Sequence, residues 1–493
     1  MAMRIAFLAA ECEPWAKTGG LADVVHALAR ALGKVEPGQV EPPVEVFLPR
    51  YRSVAVPDTI DGAIVVSVPD PRSPAGHSEV RILDVPADGY RLRLVDHPAA
   101  FDREGFYGDA AGDFADNAWR FGLFCRAALE ALRADGRPVD VLHLHDWHTG
   151  PAAIFRDARY ADDPVLGGAA ILMTLHNLAY HGWTSRARLG QLGLAPGDGV
   201  VGPDADGIDL LAAGIERAEL VNTVSPGFAA EALTPEFGMG LDGLLRGRGD
   251  QFIGILNGLD DTIWDPATDR DLAAPYSRSG RAGKAACRAD LLRRIGFDAE
   301  DPRPVIGMIG RLDPQKGFDL LSDATPALLD LGARIVVQGS GAPALAEPFR
   351  ALAAAGPDRV ALIERFDRAM ARRIYAGADF FAMPSRFEPC GQGQMIALRY
   401  GTPPIVNRTG GLADTVVDET ANPGRGTGFS FAGASVAGLL GACERAIALR
   451  AAGGDPWDGL LDRAMAVDFD WTTGSAPRYV EAYRRAVAIR VGG

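Results

Sequence analysis

Lys17-Thr18-Gly19-Gly20-Leu21-Ala22-Asp23 returns almost letter for letter as Arg408-Thr409-Gly410-Gly411-Leu412-Ala413-Asp414. Each copy follows a short apolar run and opens a helical pattern, so each reads as a strand-to-helix turn. Two readings of the glycines stay open. They serve a backbone turn with positive φ, or they bare N–H groups beside a cation at a helix start, which makes an anion site. Around the copies the chain alternates between strand and helix patterns. Apolar, β-branched runs at Arg4–Ala10, Val44–Leu48, Arg91–Val95, Val139–His145, Ala170–His176 and Leu220–Val224 predict one set of strands. Val305–Gly310, Arg334–Gln338, Val360–Glu364, Phe380–Pro384 and Pro404–Asn407 predict a second set. Helical periodicity fills the intervals at Leu21–Leu32, Asp116–Arg133, Phe318–Leu331, Asp367–Tyr375 and Val436–Ala451. Repeated strand–helix alternation means parallel sheets covered by helices on both faces. The strands are too many for one sheet, so the expected fold class is α/β with two doubly wound domains.

The expected domains are 1–256 and 257–470, with an amphipathic helix over 471–493 packing back on the first. The segments Glu36–Pro43, Pro69–Gly76, Leu194–Asp204 and Asn422–Gly428 read as surface loops.

Composition narrows the function. The chain has 493 residues, 47% hydrophobic and 23% charged, with a net charge of −14. An acidic balance speaks against a nucleic-acid surface, and no apolar stretch approaches the ~18 residues of a membrane span. Five dispersed cysteines form no CxxC pair, which fits a reducing cytoplasm and neither a disulfide framework nor a zinc ribbon. Lysine occurs at only four positions, and two of them, Lys17 and Lys316, lie in glycine-containing loops. A lysine where arginine is the default cation hints at a need for a compact ammonium.

All eight histidines precede residue 182. In His143-Leu144-His145-Asp146-Trp147-His148 the spacing suits a packed, hydrogen-bonded His143 better than a metal centre. Asp146 and His176 fall at strand C-terminal ends, where open α/β sheets place ligand groups. Arg311-Leu312-Asp313-Pro314-Gln315-Lys316 sets two cations at a strand-to-helix turn suited to a diphosphate. In Ser385-Arg386-Phe387-Glu388-Pro389-Cys390-Gly391-Gln392-Gly393, Glu388 is a lone carboxylate followed by backbone N–H groups. It suits either a helix cap or a developing positive charge. Cys390 reads as a packing residue or N–H donor rather than a nucleophile. Asp204-Ala205-Asp206 reads as a solvated turn, since no strand leads into it.

Together these motifs resemble the bacterial glycogen synthases and plant starch synthases, retaining glycosyltransferases of the GT-B fold. Lys17–Val24 matches their Lys-x-Gly-Gly-Leu-x-Asp-Val signature. His145–His148, Thr174–Asn177, Val224–Pro226, Leu256–Gly258, Ser385–Gly391 and Arg408–Val416 follow in the family's order. The resemblance implies two Rossmann-like domains facing across a deep cleft, glucose transfer from ADP-glucose to glycogen or a malto-oligosaccharide, and no cofactor or metal. It implies a catalytic set of Glu388, His176 and Asp146. Donor contacts would come from Lys17, Gly19, Gly20, Asp23, Asn177, Asn257, Arg311, Lys316, Cys390, Gly391, Gly393, Thr409, Gly410 and Gly411, with Phe366 where the family often stacks a ring on adenine. The chain departs from the family pattern at Gln392-Gly393, where Leu-Thr is common, and at Ala212, where a lysine is. Ile396 stands where the broader retaining family often has a second glutamate. Alternatives are a GT-B transferase using UDP-glucose and a non-catalytic glucan-binding regulator.

Overall fold

The computed structural model describes residues 2–56, 63–109, 112–185, 188–194 and 207–492. The Asp204-Ala205-Asp206 turn, and the expected 194–204 loop beyond its first residue, lie outside the described residues. The chain divides into two compact units. One comprises Met1–Val224, Ala229–Gly258 and Trp471–Gly493, and the other comprises Ser225–Phe228 and Leu259–Asp470.

In the first unit the strands are β1 (Ile5–Leu8), β2 (Val44–Pro49), β3 (Ile64–Pro69), β4 (His77–Pro86), β5 (Tyr90–Asp96), β6 (Val141–His145), β7 (Ala170–Leu175), β8 (Leu220–Thr223) and β9 (Phe252–Gly254). They form one sheet in the order β9-β8-β7-β6-β1-β2-β5-β4-β3. The run from β9 to β5 is parallel, as buried apolar strands joined by helices require. The expectation of a purely parallel sheet fails at one edge. β4 pairs antiparallel with both β3 and β5, and the segment Pro69–Gly76 is the β3–β4 hairpin connection. Ile64–Pro69 alternates half-buried or buried with exposed residues. A strand with one wet face lacks the continuous apolar run that marks the central strands.

The last stretch forms a short wound turn at Trp471–Ser475 and the helix Ala476–Gly492. It belongs to the first unit because its aromatic stripe is buried there. Tyr479 and Tyr483 are fully covered. Tyr483 Oη lies 2.9 Å from His143 Nδ1, and Asn222 Nδ2 donates to Tyr479 Oη at 3.2 Å.

The second unit carries β10 (Val305–Leu312), β11 (Arg334–Gly341), β12 (Val360–Ile363), β13 (Phe380–Met383), β14 (Pro404–Asn407) and β15 (Phe429–Phe431). Its sheet runs β12-β11-β10-β13-β14-β15, all parallel. The order reverses between β10 and β13, and loops beyond the strand carboxyl ends at such a switch point form ligand sites. A few helix starts are capped by local side chains. Asp367, for example, accepts the Met370 N–H at 2.9 Å and opens the helix Arg368–Gly377.

Candidate active site

The loop after β1 puts an internal carboxylate where the sequence suggested an external anion. Glu11 is buried and accepts the Thr18 N–H at 2.5 Å, the Thr18 hydroxyl at 2.6 Å, the Gly19 N–H at 3.1 Å and the Tyr107 hydroxyl at 2.6 Å. Those amides are therefore spent, and the anion-site reading of this loop is corrected to that extent. What the loop offers is Lys17, whose Nζ is held 2.5 Å from Asp23 and 3.4 Å from Glu13. Asp23 is thus an orienting partner for the lysine. Gly19 and Gly20 have no neighbour within 4 Å of a built Cβ, and neither has a positive φ. Neither backbone conformation nor packing inside the protein demands glycine there.

At the ends of β6 and β7, Asp146 sits in the left-handed region with φ 56°, a strained state for a residue with a Cβ. Its carboxylate accepts the backbone N–H of His176 at 2.7 Å and bonds the Asn177 backbone as well. Asp146 therefore shapes the turn that carries His176. Burial pushes its carboxyl up to about 7, against those two bonds and with help from the charge on Glu11. Burial takes His176 the other way, down to about 3, so its imidazole is neutral at neutral pH. Asn177 turns its side-chain oxygen onto the Ala179 N–H at 2.9 Å. Asn257 is buried, and its Oδ1 has no hydrogen-bond partner among the described residues. His143 is a core histidine bonded through Nε2 to Thr174 Oγ1 at 2.6 Å. Among the described residues no group of three or more His, Cys, Asp or Glu is arranged around a metal position.

In the second unit, two loops at the β10 and β13 ends are stitched together. Gln315 accepts the Arg386 N–H at 2.8 Å and donates its amide to the Phe387 carbonyl at 3.0 Å. This places Lys316 Nζ 2.6 Å from Glu388 Oε2, which also accepts the Ser385 hydroxyl at 3.1 Å. Arg311 is exposed at the end of β10 and has no ion pair among the described residues. Phe366 is 80% exposed, a bare ring after β12. Cys390 is buried, and its carbonyl accepts the Gln394 amide at 3.0 Å. Gly391 needs its φ of +75°, while Gly393 opens the helix Gly393–Arg399 with a built Cβ 3.0 Å from the Phe381 ring.

The second glycine loop differs from the first in its physical reason. A Cβ on Gly410 would lie 2.2 Å from the Glu388 carbonyl oxygen, and one on Gly411 2.3 Å from that of Cys390. The Gly411 N–H donates to the Glu388 carbonyl at 3.1 Å. These glycines let one backbone press on another, and Thr409 is buried beside them. Sequence reasoning missed Glu11, Tyr107, Ser385 and Gln315. Glu11 and Ser385 had a local signal, a polar residue directly after a strand, whereas Tyr107 is brought in by the fold alone.

Comparison with known proteins matches residues 4–247 to the starch synthase catalytic domain and residues 303–448 to the glycosyl transferases group 1 domain. The chain is 44% identical to a glycogen synthase of Anaeromyxobacter dehalogenans, over 98% of this chain and 99% of that one. It is 40% identical to a glycogen synthase of Syntrophotalea carbinolica over 99% of each. The chain belongs to the glycogen synthase family. Its fold superimposes on the catalytic domain of starch synthase IV from Arabidopsis thaliana, bound to ADP and acarbose, with a TM-score of 0.88 at 34% identity, covering 99% of this chain and 100% of that one. Family membership makes it a GT-B glycosyltransferase that uses a nucleotide-sugar donor and a glucan acceptor. No helix among the described residues is long and apolar enough to cross a membrane. In this chain Ile396 is a buried core side chain, and the Ala212 N–H is bonded to the Asp209 carboxylate.

The raised carboxyl of Asp146 has a consequence for stability. Between the ordinary carboxyl range and about 7 the folded chain keeps a proton that the unfolded chain has released. Unfolding then releases protons, so the contribution of this group falls as pH rises across that window and levels off above it. Denaturant midpoints at about pH 5 and about pH 7.5 should show this slope in the wild type and lose it in Asp146→Asn.

Proposed function

We propose that the chain transfers glucose from ADP-glucose to the non-reducing end of an α-1,4-glucan, glycogen or a malto-oligosaccharide, with retention of configuration. The observation that carries the reading is the Lys316–Glu388 pair with Arg311 on the neighbouring strand end. A cation and a carboxylate held side by side suit a reaction that separates a leaving anion from a positively charged sugar. Arg311 and Lys316 bind the diphosphate, Phe366 stacks on adenine, and Glu388 stabilises the oxocarbenium-like sugar. Cys390, Gly391, Gly393, Thr409, Gly410 and Gly411 shape the phosphate loop. Lys17, with Gly19 and Gly20, and the turn of Asp146, His176 and Asn177 act on the same donor, as does Asn257. The acceptor hydroxyl attacks from the side the nucleotide leaves. The new glycosidic bond forms as the bond to phosphate breaks, and the departing phosphate takes the hydroxyl proton. Asp146 serves this set as a positioning residue, since its carboxylate is occupied with backbone. Five free cysteines suit work in the reducing cytoplasm.

The test is transfer of labelled glucose to glycogen from ADP-glucose and from UDP-glucose. Incorporation from ADP-glucose should dominate. Dominance of UDP-glucose would overturn the donor assignment, and no incorporation from either would favour a binding role. Because the charge on ADP is met by fixed protein cations, transfer should also persist after exhaustive chelation with EDTA. Loss of activity restored by one divalent ion would overturn that phosphate assignment.

A further inference from the structure

Beside His176 lies a contact that the reaction as proposed does not use. His145 is buried, with its ring 4.1 Å from that of His143 and 5.3 Å from that of Phe7, centroid to centroid. Its Nδ1 lies 3.0 Å from Nε2 of His176. Burial holds both rings well below the ordinary histidine range. Each ring then carries one proton, and the two nitrogens in contact share one between them.

Two arrangements are available. If His176 donates from Nε2, His145 must carry its own proton on Nε2, which is buried with no hydrogen-bond partner among the described residues. That leaves an orphaned N–H in the core, a rare and costly state for a buried donor. If His145 donates from Nδ1, its Nε2 is a bare lone pair, and His176 carries its proton on Nδ1. The neighbouring network is also ordered in one direction. Asn222 Nδ2 faces the Tyr479 hydroxyl and the Thr223 carbonyl, so its Oδ1 accepts from Thr174 at 2.7 Å. Thr174 then accepts from His143 Nε2–H, and Tyr483 donates to His143 Nδ1. His143 thus has both nitrogens engaged and takes no part in the His145–His176 proton.

We propose that His145 is a positioning residue that donates its Nδ1–H to Nε2 of His176, so that His176 presents Nδ1–H as a hydrogen-bond donor to an oxygen of the donor sugar. This rests on the reading that His176 faces the donor glucose. The geometry adds which nitrogen serves the sugar, that it gives a proton rather than accepting one, and which residue sets that polarity. A histidine free to exchange tautomers would present a lone pair for part of the time, and a sugar hydroxyl would then have to turn and donate to it, so the direction of the bond would no longer be fixed.

The decisive measurement uses the full chain labelled with ¹⁵N-histidine, with His176 signals identified by their disappearance in His176→Gln. His176 should show a protonated Nδ1 and an unprotonated Nε2, unchanged from about pH 6 to about pH 9. The reverse pattern, or an imidazolium, overturns the proposal without reference to turnover. His145→Phe keeps a flat ring and removes the donor. It should mix the His176 tautomers and lower kcat about tenfold, the size of one lost hydrogen bond, with ADP affinity unchanged. His145→Asn places an amide N–H near the lost Nδ1–H and should restore most of the rate. Equal losses in both variants with an unaltered His176 spectrum would overturn the positioning role. Should the spectrum be as expected while His176→Gln turns over normally, the tautomer assignment stands and the placement of His176 on the sugar falls.

Discussion

Glu388→Gln is expected to fold as the wild type does, bind ADP with ordinary affinity, and lose about a hundredfold to a thousandfold in kcat, the scale of removing one preorganised electrostatic group. The amide is isosteric, and its oxygen can still accept from Lys316 Nζ and the Ser385 hydroxyl, which lie 2.6 and 3.1 Å from the carboxylate oxygen. What disappears is the negative charge proposed to meet the sugar as its bond to phosphate breaks. That charge matters most in the transition state, so kcat should fall far more than donor binding. Turnover near the wild-type rate would remove Glu388 from the chemistry. The neighbouring cations need different handling. Lys316→Met would strand a nearly buried carboxylate and destabilise the fold for reasons unrelated to phosphate. Arg311→Gln is the cleaner test of the diphosphate contact, because Arg311 has no ion pair among the described residues to lose.

The two glycine loops should respond to alanine in opposite ways. In Gly411→Ala the new methyl would lie 2.3 Å from the Cys390 carbonyl oxygen and 2.5 Å from its Cα. The contacts are all with the Cys390 backbone, which leaves no flexible side chain to yield, so the cost should reach about 3 kcal/mol or more. At about 2–4 °C per kcal/mol for a unit of this size, the melting temperature should drop by about 6–12 °C. Gly20 is the first residue of the helix Gly20–Leu32, and a Cβ there meets open space. Gly20→Ala should therefore leave the melting temperature unchanged or slightly raised, since alanine favours helix over glycine by up to ~1 kcal/mol. Its donor KM should rise about tenfold, because the methyl blocks close approach of a ligand to the backbone. Scanning calorimetry and donor titration together check both halves. A destabilised Gly20→Ala, or a stable Gly411→Ala with a raised KM, would reverse the roles given to the loops.

The central strands and the long helices were legible from the chain because their signal is local. A buried parallel strand shows as a short apolar run, and an amphipathic helix shows as apolar residues every three to four positions. Strands at sheet edges are different. Ile64–Pro69 and His77–Pro86 have one wet face, and their pairing partner is chosen by the fold rather than announced by their own letters. The candidate site divides along the same line. The residue types near strand ends (Lys17, Asp146, His176, Arg311, Lys316 and Glu388) were readable, because the roles proposed for them rest on charge or hydrogen-bonding capacity, and both are written in the side-chain type.

What each of those groups touches was settled only by tertiary structure. Asp146 is a carboxylate by sequence, and its turning toward backbone N–H groups follows from the meeting of β6 and β7. Glu11 occupies the amides of the first loop, and Tyr107, far along the chain, closes that carboxylate from the other side. The nearly identical repeats make the point most sharply. Gly19-Gly20 and Gly410-Gly411 are the same letters in the same local frame, yet one pair faces open space and the other is pressed against Glu388 and Cys390. Backbone conformation and polarity are properties of a residue and its neighbours in sequence, so the sequence determined a glycine-rich turn at the head of each helix. Whether a glycine is needed for a ligand or for its own protein depends on which atoms lie within van der Waals distance, and that is decided by segments many residues away.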